Sequence, residues 1–557
     1  MSANADTLNA AHVAHDKHPK GLYVLFGTEM WERFSFYSML ALFTLYLRDP
    51  NEGFGWTAAE ATWLYSTYLM FVYLSPLVGG FIADRWTGYR KAVMIGGFFF
   101  MAGHATLSIP AIWAVYLALT FLVIGNGFFK PNVSTMVGNL YPEGSHLKDR
   151  AYNIFYMGIN VGAALAPIVM EIVKAYYGFH VAFAVAAFGM VISVTILWYF
   201  KELVKSADKT MLRIGDNQIL AVEHADDQPA DAAATATDAP PHETSHQKAS
   251  NLMNTVPDSK RILALCVVFA IVIVFWMVFH QNGSTLTYFA DDNTEWNVSG
   301  TISNSINAIW ILVLTFPLVA FWGFLDRRGK EPSTPTKMAI GMTLTGLSFL
   351  VLWFGASIGE KSVRTPEQLA TGSFRINERV AKDLVAQGVP QDVIDKVMAA
   401  KDAENKNAVN GVKFSHHTDE VTKVSTSGGD GLIAAVNKAA PGQGDAHKDK
   451  ILQAAHLFRV SPFWLIFAYM VVTLGELMLS PMGLSLVSKV APISKRGLLM
   501  GGWFVATAIG NKLTQIGVFW DIWLQSTFFL VLACMALFMA VVLFLILKPL
   551  KKAMPGV

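Results

Sequence analysis

The chain has 557 residues, of which 53% are apolar, 12% aromatic and only 15% charged, with a formal net charge of +2. That balance excludes a soluble multidomain enzyme and gives no basic surface for nucleic acid, and it leaves a polytopic membrane protein. A helix needs about 20 apolar residues to cross a bilayer. Twelve such stretches begin, in chain order, near Leu22, Ala58, Ala92, Ala111, Ala151, Phe179, Ile262, Gly300, Lys337, Pro462, Gly497 and Thr527. Residues 1–20 are polar and carry no apolar run, so we expect no cleaved signal peptide and a first span that directs insertion. Cys266 and Cys534 both fall inside spans, where packing is the better reading than a disulfide or a thiolate metal site.

Loop lysines and arginines concentrate in segments 84–91, 142–150, 326–337 and 489–496 and in the tail 548–552, whereas the alternating loops hold almost none. The positive-inside rule then places both termini in the cytoplasm of a multi-pass cell-membrane protein. Pro76-Leu77-Val78 is followed by Asp84-Arg85 and Gly88, and Pro317-Leu318-Val319 by Asp326-Arg327 and Gly329. An echo at the second span of each half, with the span count and charge bias, predicts the major facilitator fold. We therefore expect an all-α membrane protein with twelve transmembrane helices in two six-helix bundles and a small helical extramembrane insertion.

The expected organisation is a cytoplasmic tail (1–20), an N-terminal bundle (21–200), a cytoplasmic linker (201–258), helices 7–9 (259–357), an extracytoplasmic insertion (358–456), helices 10–12 (457–548) and a second tail (549–557). The linker opens with a helical pattern over 201–222. It then passes into an Ala/Asp/Thr/Pro/His stretch that cannot bury a core and should be disordered. Helical patterns at 380–386, 391–403 and 448–457 predict a helical lobe without chemistry of its own.

Ionisable groups inside spans are informative, because each costs about 3 kcal/mol at the bilayer centre unless it faces a partner or a polar cavity. They are Glu29, Glu32 and Arg33 in helix 1, Lys130 in helix 4, His280 in helix 7 and Glu476 in helix 10. Glu29, Glu32, Arg33, Phe36 and Tyr37 share one helical stripe, and Glu29 precedes Arg33 by four residues, a favourable order for pairing. Arg33 and Lys130 offer cations from one half of the protein, and Glu476 an anion from the other. Such walls suit a zwitterion with separated ends, a description that fits a short peptide. An alternative stays open, in which these charges pair with one another to hold the bundle. Asp84, Arg85, Arg90 and Lys91 read as a topology and gating element, and Gly125-Asn126-Gly127 as helix packing rather than a phosphate loop. No nucleophile–base set or metal-ligand spacing occurs in the spans, so neither an enzyme nor a metal is expected.

Several motifs carry a family resemblance. Glu29-Met-Trp-Glu32-Arg33-Phe34-Ser-Phe36-Tyr37 resembles the helix 1 E-x-x-E-R-F-x-Y-Y motif of proton-dependent oligopeptide transporters. Gly79-Gly80-Phe-Ile-Ala-Asp84-Arg85-Trp-Thr-Gly88, Phe155-Tyr156-Met-Gly-Ile-Asn160-Val-Gly162, Gly127-Phe-Phe-Lys130-Pro131-Asn132 and Gly475-Glu476-Leu-Met-Leu-Ser480-Pro481 are similar to further signatures of that family. The resemblance covers the chain except for the two insertions and the tails. It implies a proton-coupled symporter that imports di- and tripeptides by alternating access. Arg33 and Lys130 would bind the peptide carboxylate and Glu476 and Asn307 its amino end, with Tyr37, Tyr73, Asn160, Trp276, Ser480 and Trp503 shaping the pocket. Glu29, Glu32 and Arg33 would couple the proton, the coupling ion, with no cofactor needed. The expected partners are di- and tripeptides, protons and membrane lipid, for a chain that works as a monomer.

Three departures qualify the resemblance. Phe36 stands where the family has a first tyrosine. His280 stands where helix 7 usually carries an acid that takes the proton and exchanges a salt bridge with the helix 1 arginine, and an imidazolium next to Arg33 would repel it. The segment between the halves has no room for the extra helix pair of many bacterial members, and the long insertion between helices 9 and 10 resembles the arrangement of animal members. Glu29 and Glu32 are the favoured proton site. His280 is either a second candidate, because imidazole titrates near neutrality, or a neutral pocket residue. A small-anion cargo such as nitrate is disfavoured by Glu476, and a non-transporting peptide sensor remains a rival of another class.

Overall fold

The structure is a computed structural model that describes residues 18–141, 147–208, 256–296, 298–400, 409–415, 417–419, 424–426, 428–492 and 496–554. The expected disordered stretch of the linker lies outside the described residues, as do the loop residues 142–146 and 493–495 and the first seventeen residues. Of the helical pattern expected over 201–222, the described part is a 3-10 helix, Lys201–Ala207.

The membrane part is all helical. In chain order it contains α1 (Lys20–Arg48), α2 (Ala58–Ile82, prolonged by a π-turn Ala83–Thr87), α3 (Tyr89–Leu107) and α4 (Ile112–Asn139). Helices α5 and α6 are the two arms of Leu147–Tyr199, broken at Gly178, whose φ of 79° reverses the chain and favours glycine because a Cβ is crowded there. Then follow α7 (Asp258–Asp292) and α8 (Gly300–Asp326), α9 (Thr334–Lys361), α10 (Pro462–Val490), α11 (Arg496–Leu513) and α12 (Gln525–Ala553). Among the described residues, eight helical stretches are long and apolar enough to cross a membrane. The protein is thus an all-α multi-span membrane protein. Helices α1, α3 and α11 are not among those eight. In α1 the interruption is the run Glu29, Glu32, Arg33, all buried.

Two hydrophobic cores organise these helices. One is built from residues 22–207 and the other mainly from residues 264–554. Within the first, α1 lies along the α5–α6 unit and α3 along α4; within the second, α9 packs on α10 and α12. The halves meet along α2 and α11 and along α5 and α8. Small residues let backbones touch: a Cβ on Gly79 would lie 2.0 Å from the Gly127 carbonyl oxygen, and one on Gly341 2.7 Å from that of Gly475. The Gly125–Gly127 run is therefore packing between α2, α3 and α4, as small residues provide in membranes.

The sequence echo has a structural counterpart. Pro76 and Pro317 sit inside α2 and α8, and Gly88 and Gly329 adopt φ of 74° and 63°. Arg85 lies 4.3 Å over the Phe81 ring; in the second half it is Arg328, next to the echoed Arg327, that lies 4.1 Å over Phe324.

Between α9 and α10 stands a lobe with its own core, around Phe374, Leu384, Val397 and Leu432. Its helices include Glu378–Ala386, Gln391–Ala399, Gly428–Ala439 and Lys448–Ala455. The lobe is not purely helical, as the sequence led us to expect. Strands β1 (Ser373–Arg375) and β2 (Lys413–Ser415) pair antiparallel with Phe374 opposite Phe414, and β3 (His417–Asp419) pairs with β4 (Val424–Thr426). Three-residue strands carry too little alternation to be read from sequence, and β1 finds its partner about forty residues away.

Candidate functional site

Helix α1 brings three charges to one level. The Arg33 guanidinium donates to both carboxylate oxygens of Glu32, with Nη2 2.7 Å from Oε1, and its Nε lies 3.2 Å from Glu29 Oε1. The spacing argument singled out Glu29 as the partner, yet the adjacent Glu32 is the tighter one. Both acids lie on the helical stripe that carries Arg33, so one guanidinium reaches both carboxylates. Arg33 also lies 5.0 Å from the centre of the Phe36 ring, which fills the place of the missing tyrosine with a cation–π contact. The other oxygen of Glu29, Oε2, is buried without a hydrogen-bond partner among the described residues.

Lys130 on α4 sits with its ammonium 4.7 Å over the Tyr73 ring of α2. Among the described residues it forms no ion pair within 4.0 Å, although Arg33, Glu29 and Glu32 are all within electrostatic reach. Tyr37 packs against Ala163 and Ala164 of α5 and Ala308 of α8, at the seam of the halves, and senses both Arg33 and Glu476.

The opposite wall comes from the C-terminal half. Glu476 on α10 accepts a hydrogen bond of 2.9 Å from the Asn307 amide of α8, which also donates to Thr473 Oγ1 at 2.9 Å. Among the described residues no cation pairs with Glu476. Thr473 was not singled out from sequence, and only its place one turn before Glu476 could have signalled it. Trp276 and His280 stack with ring centres 5.0 Å apart, and the Tyr73 ring meets His280 edge-on at 5.9 Å. His280 opens a 3-10 turn, His280–Gly283, that interrupts α7. The Tyr73 ring that lies under the Lys130 ammonium is the one that meets His280, so Lys130 is a cation near it, whereas the family resemblance set this position beside Arg33. Among the described residues the imidazole Nε2 and the indole Nε1 of Trp276 are buried without hydrogen-bond partners.

The remaining sequence candidates make local contacts. Asn160 on α5 donates its amide to the Tyr156 carbonyl oxygen at 3.0 Å, and Trp503 on α11 meets the Phe269 ring at 6.3 Å. Ser480 lies in α10, but its side chain is outside the described residues. Tyr65 and Tyr68 of α2 were missed; among the described residues both hydroxyls are buried without hydrogen-bond partners. Their spacing of three and eight with Tyr73 places all three on one helical stripe, which was the available signal. Asp84 accepts from the Tyr89 hydroxyl at 2.7 Å. The Arg90 main chain and guanidinium both reach Asp208. This joins the α2–α3 corner to the segment after α6 and places it apart from the charged walls.

The two halves are bonded to each other near the lobe. Thr44 Oγ1 donates to the Gly283 carbonyl oxygen at 3.0 Å, and the Ala58 N–H to Asp521 Oδ2 at 3.1 Å. Lys174 bonds Ser299 and Thr301, while Glu171 accepts from the Ser299 N–H at 3.1 Å. A separate cleft of about 430 Å³, lined by Glu360, Arg364, Arg379 and His456 among others, lies between the lobe and the ends of α9 and α12 and shares no residue with the charged walls.

Two opposed walls, split between two bundles and furnished with unpaired charges, are the arrangement of a transporter that holds a small charged cargo between its halves. Comparison with known proteins places it among them. The family model PTR2, described as the POT family, matches residues 90–384 and 432–519, and the chain belongs to that family. It is 26% identical to the uncharacterized transporter YclF of Bacillus subtilis (strain 168), over 97% of this chain and 96% of that one. It is 25% identical to the di-/tripeptide transporter of Lactococcus lactis subsp. cremoris, over 99% of both. Among solved structures, it superposes on a peptide transporter POT in complex with sulfate with a TM-score of 0.68, at 25% identity and 96% coverage of both chains. A mutant of a peptide transporter POT in complex with alafosfalin gives 0.67 at 26% identity, covering 97% of this chain and 96% of that one. The protein is a multi-pass transporter of the cell membrane and not an enzyme.

Proposed function

We infer that this protein imports di- and tripeptides in symport with protons, by alternating access of a central cavity between two bundles of six transmembrane helices. The observation that carries the reading is the pair of unsatisfied opposite charges on the two halves. Lys130 has no carboxylate within ion-pair distance and Glu476 has no cation among the described residues, so each is free for one end of a peptide zwitterion. Asn307 orients the Glu476 carboxylate, while Tyr37, Tyr73, Trp276 and Trp503 give the apolar surface that tolerates varied side chains. Asn160 and Ser480 complete the pocket. Both termini lie in the cytoplasm, as the loop charges require, and the lobe faces outward. The bonds between halves gather at the lobe end, so this conformer is closed to the outside.

Proton coupling rests on Glu29, Glu32 and Arg33. In this conformer Arg33 is occupied by two carboxylates. Protonating one of them loosens its hold on the guanidinium, which then has a charge to offer the peptide carboxylate beside Lys130. Moving one positive charge inward is worth about 2.3 kcal/mol per 100 mV, enough to concentrate a neutral zwitterion some tens of times. Asp84, Arg85 and Arg90 fix the cytoplasmic corner of α2 and α3 on which gating depends. The protein works as a monomer within the lipid bilayer.

The test is uptake of labelled dialanine into liposomes with an inward proton gradient and a negative interior. Accumulation that a proton ionophore abolishes is expected. If the protein binds dialanine yet neither accumulates nor exchanges it, it is a sensor; if it does not bind dialanine, the cargo is something else.

A further inference from the structure

The lobe reaches the membrane helices through acids that also close the outer side. Asp292, at the outer end of α7, is buried and contacts Arg375 of β1 directly; Lys413 of β2 lies 3.3 Å from its other oxygen, and Arg48 of α1 approaches to 4.0 Å. Lys413 also bonds the neighbouring Asp291 at 3.1 Å. A second node repeats the pattern. Asp521, in the α11–α12 connection, takes the Ala58 N–H of α2 on one oxygen. The Asn377 amide approaches its other oxygen at 3.4 Å, and the Arg379 N–H donates to its main-chain carbonyl at 3.2 Å. In both nodes a C-half acid is shared between the N-terminal half and the lobe.

The lobe itself is anchored to the C-terminal half. It is spliced between α9 and α10. Main-chain bonds tie Val460 N to Asn293 O at 2.9 Å and Glu295 N to Val460 O at 2.8 Å, and the Asn293 amide donates to Phe458 O at 3.0 Å. When the outer side opens, Arg48 leaves with the N-terminal half and also loses its place 4.1 Å over the Tyr288 ring of α7. Asp292 stays behind with Arg375 and Lys413.

We propose that the lobe is a charge holder for the outer gate, in which Arg375 and Lys413 keep Asp292 neutralised after Arg48 departs. One consequence is opposite to that of a simple clasp. A clasp, once removed, would let the outer side open more readily. A charge holder, once removed, leaves Asp292 dependent on Arg48, because a buried carboxylate stripped of its partners is costly. Opening then becomes harder. Arg375 and Lys413 are in this sense positioning residues for the conformational step and do not touch the peptide.

The inference rests on the alternating-access reading, and the experiment separates the two. Spin labels are placed at Asn51→Cys and Val298→Cys, in a background with Cys266→Ser and Cys534→Ser, and the outer-end distance distribution is measured in lipid nanodiscs with and without dialanine. Wild type should show a short and a long population. A single population that dialanine and pH leave unchanged would sink the alternating-access reading itself. Given two populations, Arg375→Gln should lower the long-to-short ratio about fivefold or more, the lower end of typical coupling between linked sites. Arg375→Lys should restore it, and Arg48→Gln should raise it. An unchanged or raised ratio in Arg375→Gln overturns the charge-holder proposal. If Arg375→Gln does not fold, Lys413→Gln, at a partly exposed position, must lower the ratio in the same direction or the proposal is likewise overturned.

Discussion

Replacing Glu476 by Gln keeps the shape of the side chain and its bond from Asn307 at 2.9 Å but removes the charge on the C-terminal wall. Because no cation neutralises Glu476 among the described residues, the loss falls on the ligand's ammonium rather than on a protein partner. A hydrogen bond to a charged group contributes about 1.5–3 kcal/mol, so dialanine affinity should fall about 10- to 150-fold. The assay is equilibrium binding of dialanine and of N-acetyl-dialanine to wild type and Glu476→Gln in nanodiscs. Acetylation should weaken binding to the wild type by a similar factor and have little further effect on the variant. The reasoning is refuted if the variant binds dialanine as wild type does, or if acetylation costs the same in both, since the amino end would then lie elsewhere.

Other outcomes follow from the same geometry. Glu32→Gln, which removes the tighter carboxylate on Arg33, should abolish proton-driven accumulation while peptide exchange across the liposome membrane continues. His280→Asn should leave the pH dependence of uptake in place, since His280 touches neither Glu29 nor Glu32 but stacks on Trp276; a displaced profile would return the histidine to the proton path. Gly79→Ala drives a methyl against the Gly127 backbone, 2.0 Å away, and overpacking of this kind costs about 1–3 kcal/mol; a thermal-shift measurement should show a clear fall in Tm. In the lobe, burial first and then the charges of Arg364 and Arg459 hold His456 down to about 4. The unfolded lobe takes up a proton below its ordinary value near 6.5, so stability is full above that value and is lost as pH falls towards 4. Amide protection factors of the lobe, which correct for the slower intrinsic exchange at low pH, should fall between pH 7 and 5, and less so in His456→Gln.

Much of the site was legible because it is local. Glu29, Glu32 and Arg33 lie within five residues of one helix, and their expense in a bilayer marks them whatever the fold. Lys130 and Glu476 stand out for the same reason, and their assignment to opposite halves needs only the order of the spans. The pair that the spacing of four predicts, Glu29 with Arg33, forms at 3.2 Å; the spacing did not show that the adjacent Glu32 would bind the same guanidinium more tightly.

The amino-acid sequence by itself determined the membrane class, the charged stripe of α1, the echo between the two halves and the packing role of the Gly125–Gly127 run. All of these follow from periodicity, transfer cost and the size of a side chain, which act over a few residues. Only the tertiary structure decided that His280 lies near Lys130, that Thr473 and Asn307 frame Glu476, that short strands build the lobe, and that Arg375 and Lys413 meet Asp292. Apart from the local β3–β4 pair and the place of Thr473 one turn from Glu476, these contacts join residues from about forty to more than a hundred and fifty positions apart. No local pattern specifies them, because they form only when whole helices and the lobe bury their apolar faces against one another.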